Sequence, residues 1–205
     1  MRAVEGRAGA QLVIISGPSG VGKDSIIAAM QRRPPSHPRH YVITCTTRRR
    51  REGEIDGVSY LFVSPEDFTR LRDADNLLEA SEVHGNWYGT PRDQVQSALS
   101  SGMDAILKID VQGAHKVRAA VPGALLIFVV PPSIEILRER LVGRNTEASA
   151  DLERRFRDAA DELARQPEYD HVVINETDLL ERTAQAIDDI IAAEHERYPD
   201  RRLVV

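Results

Sequence analysis

An α/β fold with a parallel sheet is what this sequence predicts, on three observations. Short apolar runs recur at Leu12–Ile15, Tyr41–Ile43, Ala105–Ile109, Leu125–Val130 and His171–Ile174. Their apolar letters are continuous rather than alternating, as in strands covered on both faces. Helix-like segments separate several of them, over Asp24–Arg32, Arg92–Ser101, Ser133–Leu141 and Asp151–Arg165, with a last one from about Asp178 to Arg197. Strands and helices in that alternation build an open sheet flanked by helices, and ligands of such a sheet gather at the carboxyl ends of its strands.

The first run is the most informative. Leu12–Ile15 leads into Ser16-Gly17-Pro18-Ser19-Gly20-Val21-Gly22-Lys23-Asp24-Ser25 and then Ile26-Ile27-Ala28-Ala29-Met30. Strand, glycine-rich turn and helix start, in that order, is the setting of a phosphate-binding loop. The glycines let consecutive N–H groups curl around one anion. The helix N-terminus adds the positive end of its dipole, and Lys23 reaches the outer phosphates as a mobile point charge. The usual pattern places a hydroxyl directly after the lysine, as a ligand to Mg²⁺. Here Asp24 stands in that place and Ser25 follows.

Residues 33–38, rich in proline, form a short breaker loop. Residues from about 44 to 91 interrupt the alternation with Gly53, Gly57, Pro65, Gly85, Gly89 and Pro91, and read as an inserted subdomain. Near its start, Thr46-Thr47-Arg48-Arg49-Arg50-Arg51-Glu52-Gly53-Glu54 reads equally as a solvated charge cluster or as a fork for a phosphate ester. Near its end, the stretch Glu79 to Thr90, with His84, Trp87 and Tyr88, reads as a packed turn or as a pocket for a planar base. The six histidines show no metal-ligand spacing.

The central run closes on Lys108-Ile109-Asp110-Val111-Gln112-Gly113. An acid ending a buried strand is what a phosphoryl-transfer site uses to hold Mg²⁺ or its waters, and strand alternation turns Lys108 to the same side as Asp110. Residues from about 141 to 156 carry Gly143, Arg144, Arg154 and Arg155 between two helical patterns, as a mobile flap would. Arg140 and Arg144, four apart, share a face if the helix extends that far.

Composition bounds the rest. The chain has 205 residues, 41% hydrophobic and 29% charged, which suits one soluble unit with a sizeable core. A net charge of −5 argues against a general nucleic-acid binder. No apolar stretch approaches the roughly 20 residues that span a membrane, and the polar start, residues 1–10, lacks a hydrophobic signal region. The expectation is a cytoplasmic protein with a fraying N-terminus. A single cysteine, Cys45, precludes an intrachain disulfide and reads as core. Nothing in the sequence selects a monomer over a homo-oligomer.

Taken together, the motifs resemble a guanylate kinase of the nucleoside monophosphate kinase type, over about Gln11 to Ile191. They are Gly-Pro-Ser-Gly-Val-Gly-Lys, Thr-Thr-Arg-x-x-Arg-x-Gly-Glu, Gly-Asn-Trp-Tyr-Gly-Thr and Ile-Asp-Val-Gln-Gly, continued by Val-Pro-Pro-Ser at 130–133 and Leu-Val-Gly-Arg at 141–144. The resemblance implies a P-loop core (11–43, 92–140 and 157–205), a GMP-binding subdomain (44–91) and an arginine-bearing lid (141–156) that closes over ATP. It implies ATP binding by Gly17, Pro18, Ser19, Gly20, Val21, Gly22, Lys23, Asp24, Ser25, Arg140 and Asn175. Thr44, Arg48, Arg51, Tyr60, Glu79, Tyr88, Thr90 and Asp110 would bind GMP or dGMP, with Glu79 and Thr44 reading the guanine edge. Lys23, Arg48, Arg144 and Arg155 would be catalytic, and Asp24, Ser25 and Asp110 would hold Mg²⁺. Two positions depart from the family: Asp24 replaces its serine or threonine, and Lys108 its frequent aspartate. They leave a non-catalytic binding module as the alternative.

Overall fold

The computed structural model describes residues 4–83, 85–142 and 149–205, with side chains described again from Arg155. The first half contains β1 (Leu12–Ser16), α1 (Lys23–Gln31), β2 (Arg39–Tyr41), β3 (Cys45–Thr46), β4 (Leu61–Phe62), α2 (Pro65–Asp73), β5 (Leu77–Val83) and β6 (Asn86–Pro91). The second contains α3 (Arg92–Ser100), β7 (Asp104–Lys108), α4 (Val111–Ala120), β8 (Leu125–Val130), α5 (Ile134–Val142), α6 (Ser149–Ala164), β9 (His171–Ile174) and α7 (Leu180–Arg197).

The five expected strands form one parallel sheet in the order β2-β7-β1-β8-β9. Both faces are covered, which is why the runs are continuously apolar. Leu12 and Ile14 of β1 pack with Val95, Leu99 and Val117 of α3 and α4. Val13 and Ile15 point the other way, into Ile26 and Met30 of α1 and Ile187 and Ile191 of α7. β2 lies two residues earlier than the Tyr41–Ile43 run: among the described residues it is an edge strand, paired with β7 through Arg39 to Tyr41, so apolar letters alone mark it poorly.

A second sheet, ordered β4-β3-β6-β5, lies within residues 45–91. It has its own small core, in which Cys45, Phe68 and Leu77 pack with Leu61, Leu71 and Trp87. The Cys45 thiol is buried there and points at the Gly89 carbonyl oxygen, 3.3 Å away. Burial pushes its pKa up to about 11, which suits core packing and not a nucleophile.

Two features differ from the sequence reading. Helix α4 was not anticipated, because Gly113 interrupts its helical pattern. Asp110 starts it, its carboxylate accepting from the Gly113 N–H at 2.7 Å. The N-terminus, expected to fray, is tied down from Val4 onward. The Val4 N–H donates to the Val205 carbonyl, that of Gly6 to Leu203 and that of Gly9 to Arg201, all at 2.8–2.9 Å. The chain ends lie side by side, and Leu203 and Val205 are buried beneath them.

Candidate active site

A cavity of about 780 Å³ opens where the carboxyl ends of β1 and β7 face the second sheet. One wall is the glycine loop between β1 and α1. Gly17 and Gly22 adopt φ 144° and 101°, in the left-handed region open to glycine. Each also has a neighbour where a side chain would stand. A Cβ on Gly17 would run into the Val129 carbonyl, and one on Gly22 would come within 2.5 Å of the Asn175 side-chain nitrogen. Lys23 folds back over its loop, donating to the carbonyls of Gly17 (2.5 Å) and Pro18 (3.0 Å). Burial lowers its pKa, and Glu162, Asp24 and Asp110 oppose that shift.

The opposite wall belongs to the second sheet and the arginine run. The four arginines separate: Arg49 and Arg50 are exposed, whereas Arg48 and Arg51 line the cavity. Glu54 organises this turn. Its carboxylate takes both arms of the Arg48 fork, at 2.7 and 3.1 Å, and the Arg51 backbone N–H at 2.7 Å. The Arg48 Nε donates to the Tyr88 hydroxyl at 3.2 Å, and the guanidinium lies 5.4 Å from the centre of the Tyr60 ring.

The cavity floor is acidic and buried. Glu79 accepts from the hydroxyls of Thr90 (2.8 Å) and Ser81 (3.1 Å). Burial drives its pKa up to about 7; those two hydrogen bonds oppose the shift and the nearby Asp110 charge adds to it. Gly113 is what lets Glu79 and Asp110 approach α4 so closely. A Cβ there would sit 3.0 Å from the Asp110 carboxylate and 3.1 Å from that of Glu79.

The other singled-out residues divide. Gly17, Ser19, Gly20, Gly22, Asp24, Thr44, Tyr60, Tyr88, Lys108, Asp110 and Arg155 join the groups above around the cavity. Thr90 reaches it only through Glu79. Pro18, Val21, Ser25, Arg140 and Asn175 are not on its lining. Asn175 is buried behind the loop, donating to the Val21 carbonyl at 2.7 Å and accepting from Thr183 at 3.3 Å. Arg140 braces the same place, against the carbonyls of Val21 and Asn175 and the Thr177 hydroxyl. Arg144 and His84 lie outside the described residues.

Sequence reasoning missed Glu162. Its carboxylate, on α6, accepts the Ser19 backbone N–H of the glycine loop at 3.2 Å. Burial raises its pKa, with Lys23 opposing. No local motif marks it, because only the packing of α6 brings it there. For a metal, no cluster of three or more His, Cys, Asp or Glu side chains exists among the described residues. Mg²⁺ does not require one, since it keeps several waters and rests on one or two carboxylates together with substrate phosphates. Asp24 and Asp110 on the cavity wall are hard oxygen donors of that kind; Ser25 is exposed on α1 outside it.

Comparison with known proteins agrees with this arrangement. A family model described as guanylate kinase matches residues 9–194. The guanylate kinase of Halalkalibacterium halodurans is 42% identical over 184 residues, 90% of this chain and 88% of that protein. That of Symbiobacterium thermophilum is 42% identical over 186 residues, 91% and 86% of the two chains. The crystal structure of guanylate kinase from Anaplasma phagocytophilum superimposes with a TM-score of 0.74 at 32% identity, covering 92% of this chain and 87% of that one. With a glycine loop and an arginine-lined subdomain facing one cavity, and likeness along nearly its whole length, the chain belongs to the guanylate kinase family.

Proposed function

We propose that this protein transfers the γ-phosphoryl group of ATP to GMP or dGMP, releasing ADP and the nucleoside diphosphate. The observation that carries the reading is one cavity shared by a phosphate-binding loop and a buried, braced carboxylate, Glu79. Guanine offers two adjacent N–H donors on one edge and adenine does not, so a carboxylate in that position selects guanine. Thr44, on the same cavity lining, adds a hydroxyl to that contact.

In this reading Arg48, Arg51, Tyr60 and Tyr88 grip the acceptor phosphate, and Glu54 holds the Arg48 fork in shape. Glycine-loop amides and Lys23 bind the donor phosphates, with Lys23 leaving its own carbonyls for theirs. Arg144 and Arg155, from the 141–156 lid, neutralise charge as the phosphoryl group moves. No covalent nucleophile is needed: positioning and charge compensation do the work. Mg²⁺, when bound with ATP, neutralises phosphate charge; Asp24 and Asp110 would hold it or its waters. Asn175 and Arg140 support the loop from behind, with the adenine contact of Asn175 arising on closure. The single buried thiol suits the reducing cytoplasm.

The test is ADP release by the full chain with ATP and Mg²⁺, against GMP, dGMP, AMP, CMP and UMP in turn. Turnover with GMP and dGMP alone is the expected result. GMP binding without turnover would instead establish a non-catalytic module, and turnover with another monophosphate would displace Glu79 as the selector.

A further inference from the structure

Asp24 and Lys108, the two departures from the family pattern, meet in the structure. The Lys108 ammonium lies 2.5 Å from the Asp24 carboxylate and 4.7 Å from the centre of the Tyr60 ring. One cation therefore touches the helix that follows the glycine loop and also a tyrosine of the arginine-lined wall. Sheet register fixes its origin: Lys108 stands opposite Ile15, one residue before the end of β1. A stiff strand delivers the charge, not a loop.

The pair also answers an electrostatic difficulty. An acid in the first turn of α1 complements the helix dipole, yet it stands where phosphates arrive and repels them. Lys108 cancels that repulsion. Its side chain is 19% exposed against 60% for Asp24, so the carboxylate is the more accessible partner. A divalent cation carried in by ATP would meet this same carboxylate already occupied.

We propose that Lys108 is a positioning residue that holds Asp24 in the nucleotide-free site in competition with the divalent cation, and turns to phosphate when the metal–nucleotide takes its place. The competition needs only the geometry above. The handover rests on the phosphoryl-transfer reading, and the two are separable by experiment.

For the first, the nucleotide-free full chain is titrated with Mn²⁺ alone, free ion being followed by electron paramagnetic resonance. Lys108→Met should bind Mn²⁺ about tenfold more tightly than the parent, since a neighbouring cation is gone. Lys108→Arg should bind like the parent, and adding Asp24→Asn to Lys108→Met should abolish the gain. Equal affinity in parent and Lys108→Met, or a gain that survives Asp24→Asn, overturns the proposal. Lys108→Gln replaces the methionine variant if that variant does not fold. For the second, Lys108→Met should lower kcat with ATP and GMP about tenfold, with recovery in Lys108→Arg. An unchanged kcat overturns the handover, whereas a parent chain without GMP turnover overturns the functional reading and leaves the Mn²⁺ result standing.

Discussion

At the scale of single residues, Glu79 carries the sharpest consequence. Burial lifts its pKa from an ordinary 4.5 to about 7. The folded chain therefore keeps this proton to about pH 7, whereas the unfolded chain loses it near 4.5. Its effect on stability is favourable at the acid end and is lost as pH rises through that window. The guanine recognition proposed for Glu79 runs the opposite way, because only the ionised carboxylate accepts two N–H donors. KM for GMP should thus fall as pH is raised from about 6 to about 8, while KM for ATP stays level. In Glu79→Gln the slope should vanish and discrimination between GMP and AMP should shrink; a GMP KM already flat in the parent would refute the assignment. Motif spacing made Glu79 legible as a candidate, but not its raised pKa. That comes from burial, with the Asp110 charge adding to it, against the opposing hydrogen bonds from Thr90 and Ser81.

At the scale of elements, the glycine loop and α1 show how local sequence and distant packing share a role. Gly22 has positive φ and also stands against Asn175, which arrives from beyond β9. Gly53 has positive φ with nothing within 4 Å of its missing side chain. Gly22→Ala should cost about 2–4 kcal/mol, from backbone strain and the collision together, and should raise KM for ATP. Gly53→Ala should cost about 1–2 kcal/mol, from strain alone. Thermal or urea unfolding of the two variants checks the difference, and equal losses would count against Asn175 as the brace. Helix α4 teaches the converse. Its glycine reads as a break along the chain, and the carboxylates of Asp110 and Glu79, packed 3.0 and 3.1 Å from the absent Cβ, explain why the helix carries it.

At the scale of the whole molecule, the parallel sheet joins both chain ends to the core that carries the site. Leu203 is buried with Leu99 and Val121 in the same cluster as Leu12 and Ile14 of β1. Leu203→Ala should cost about 2–4 kcal/mol in urea unfolding with KM values unchanged; a loss under about 0.5 kcal/mol would mean the end is only loosely attached. Among the described residues, no helix is long and apolar enough to cross a membrane. By itself the sequence determined the parallel α/β class, the glycine loop and the family motifs, because each rests on neighbours along the chain: continuous burial in a strand, glycine freedom in a turn, a lysine at a helix start. Tertiary structure alone decided which distant polar groups meet. Asp24 and Lys108 are 84 residues apart, Ser19 and Glu162 are 143 apart, and Val21 and Asn175 are 154 apart. Their contacts follow from β7 lying beside β1 and from helices packing over the sheet. Local propensity does not encode that order, because it is settled by burying both faces of the sheet at once.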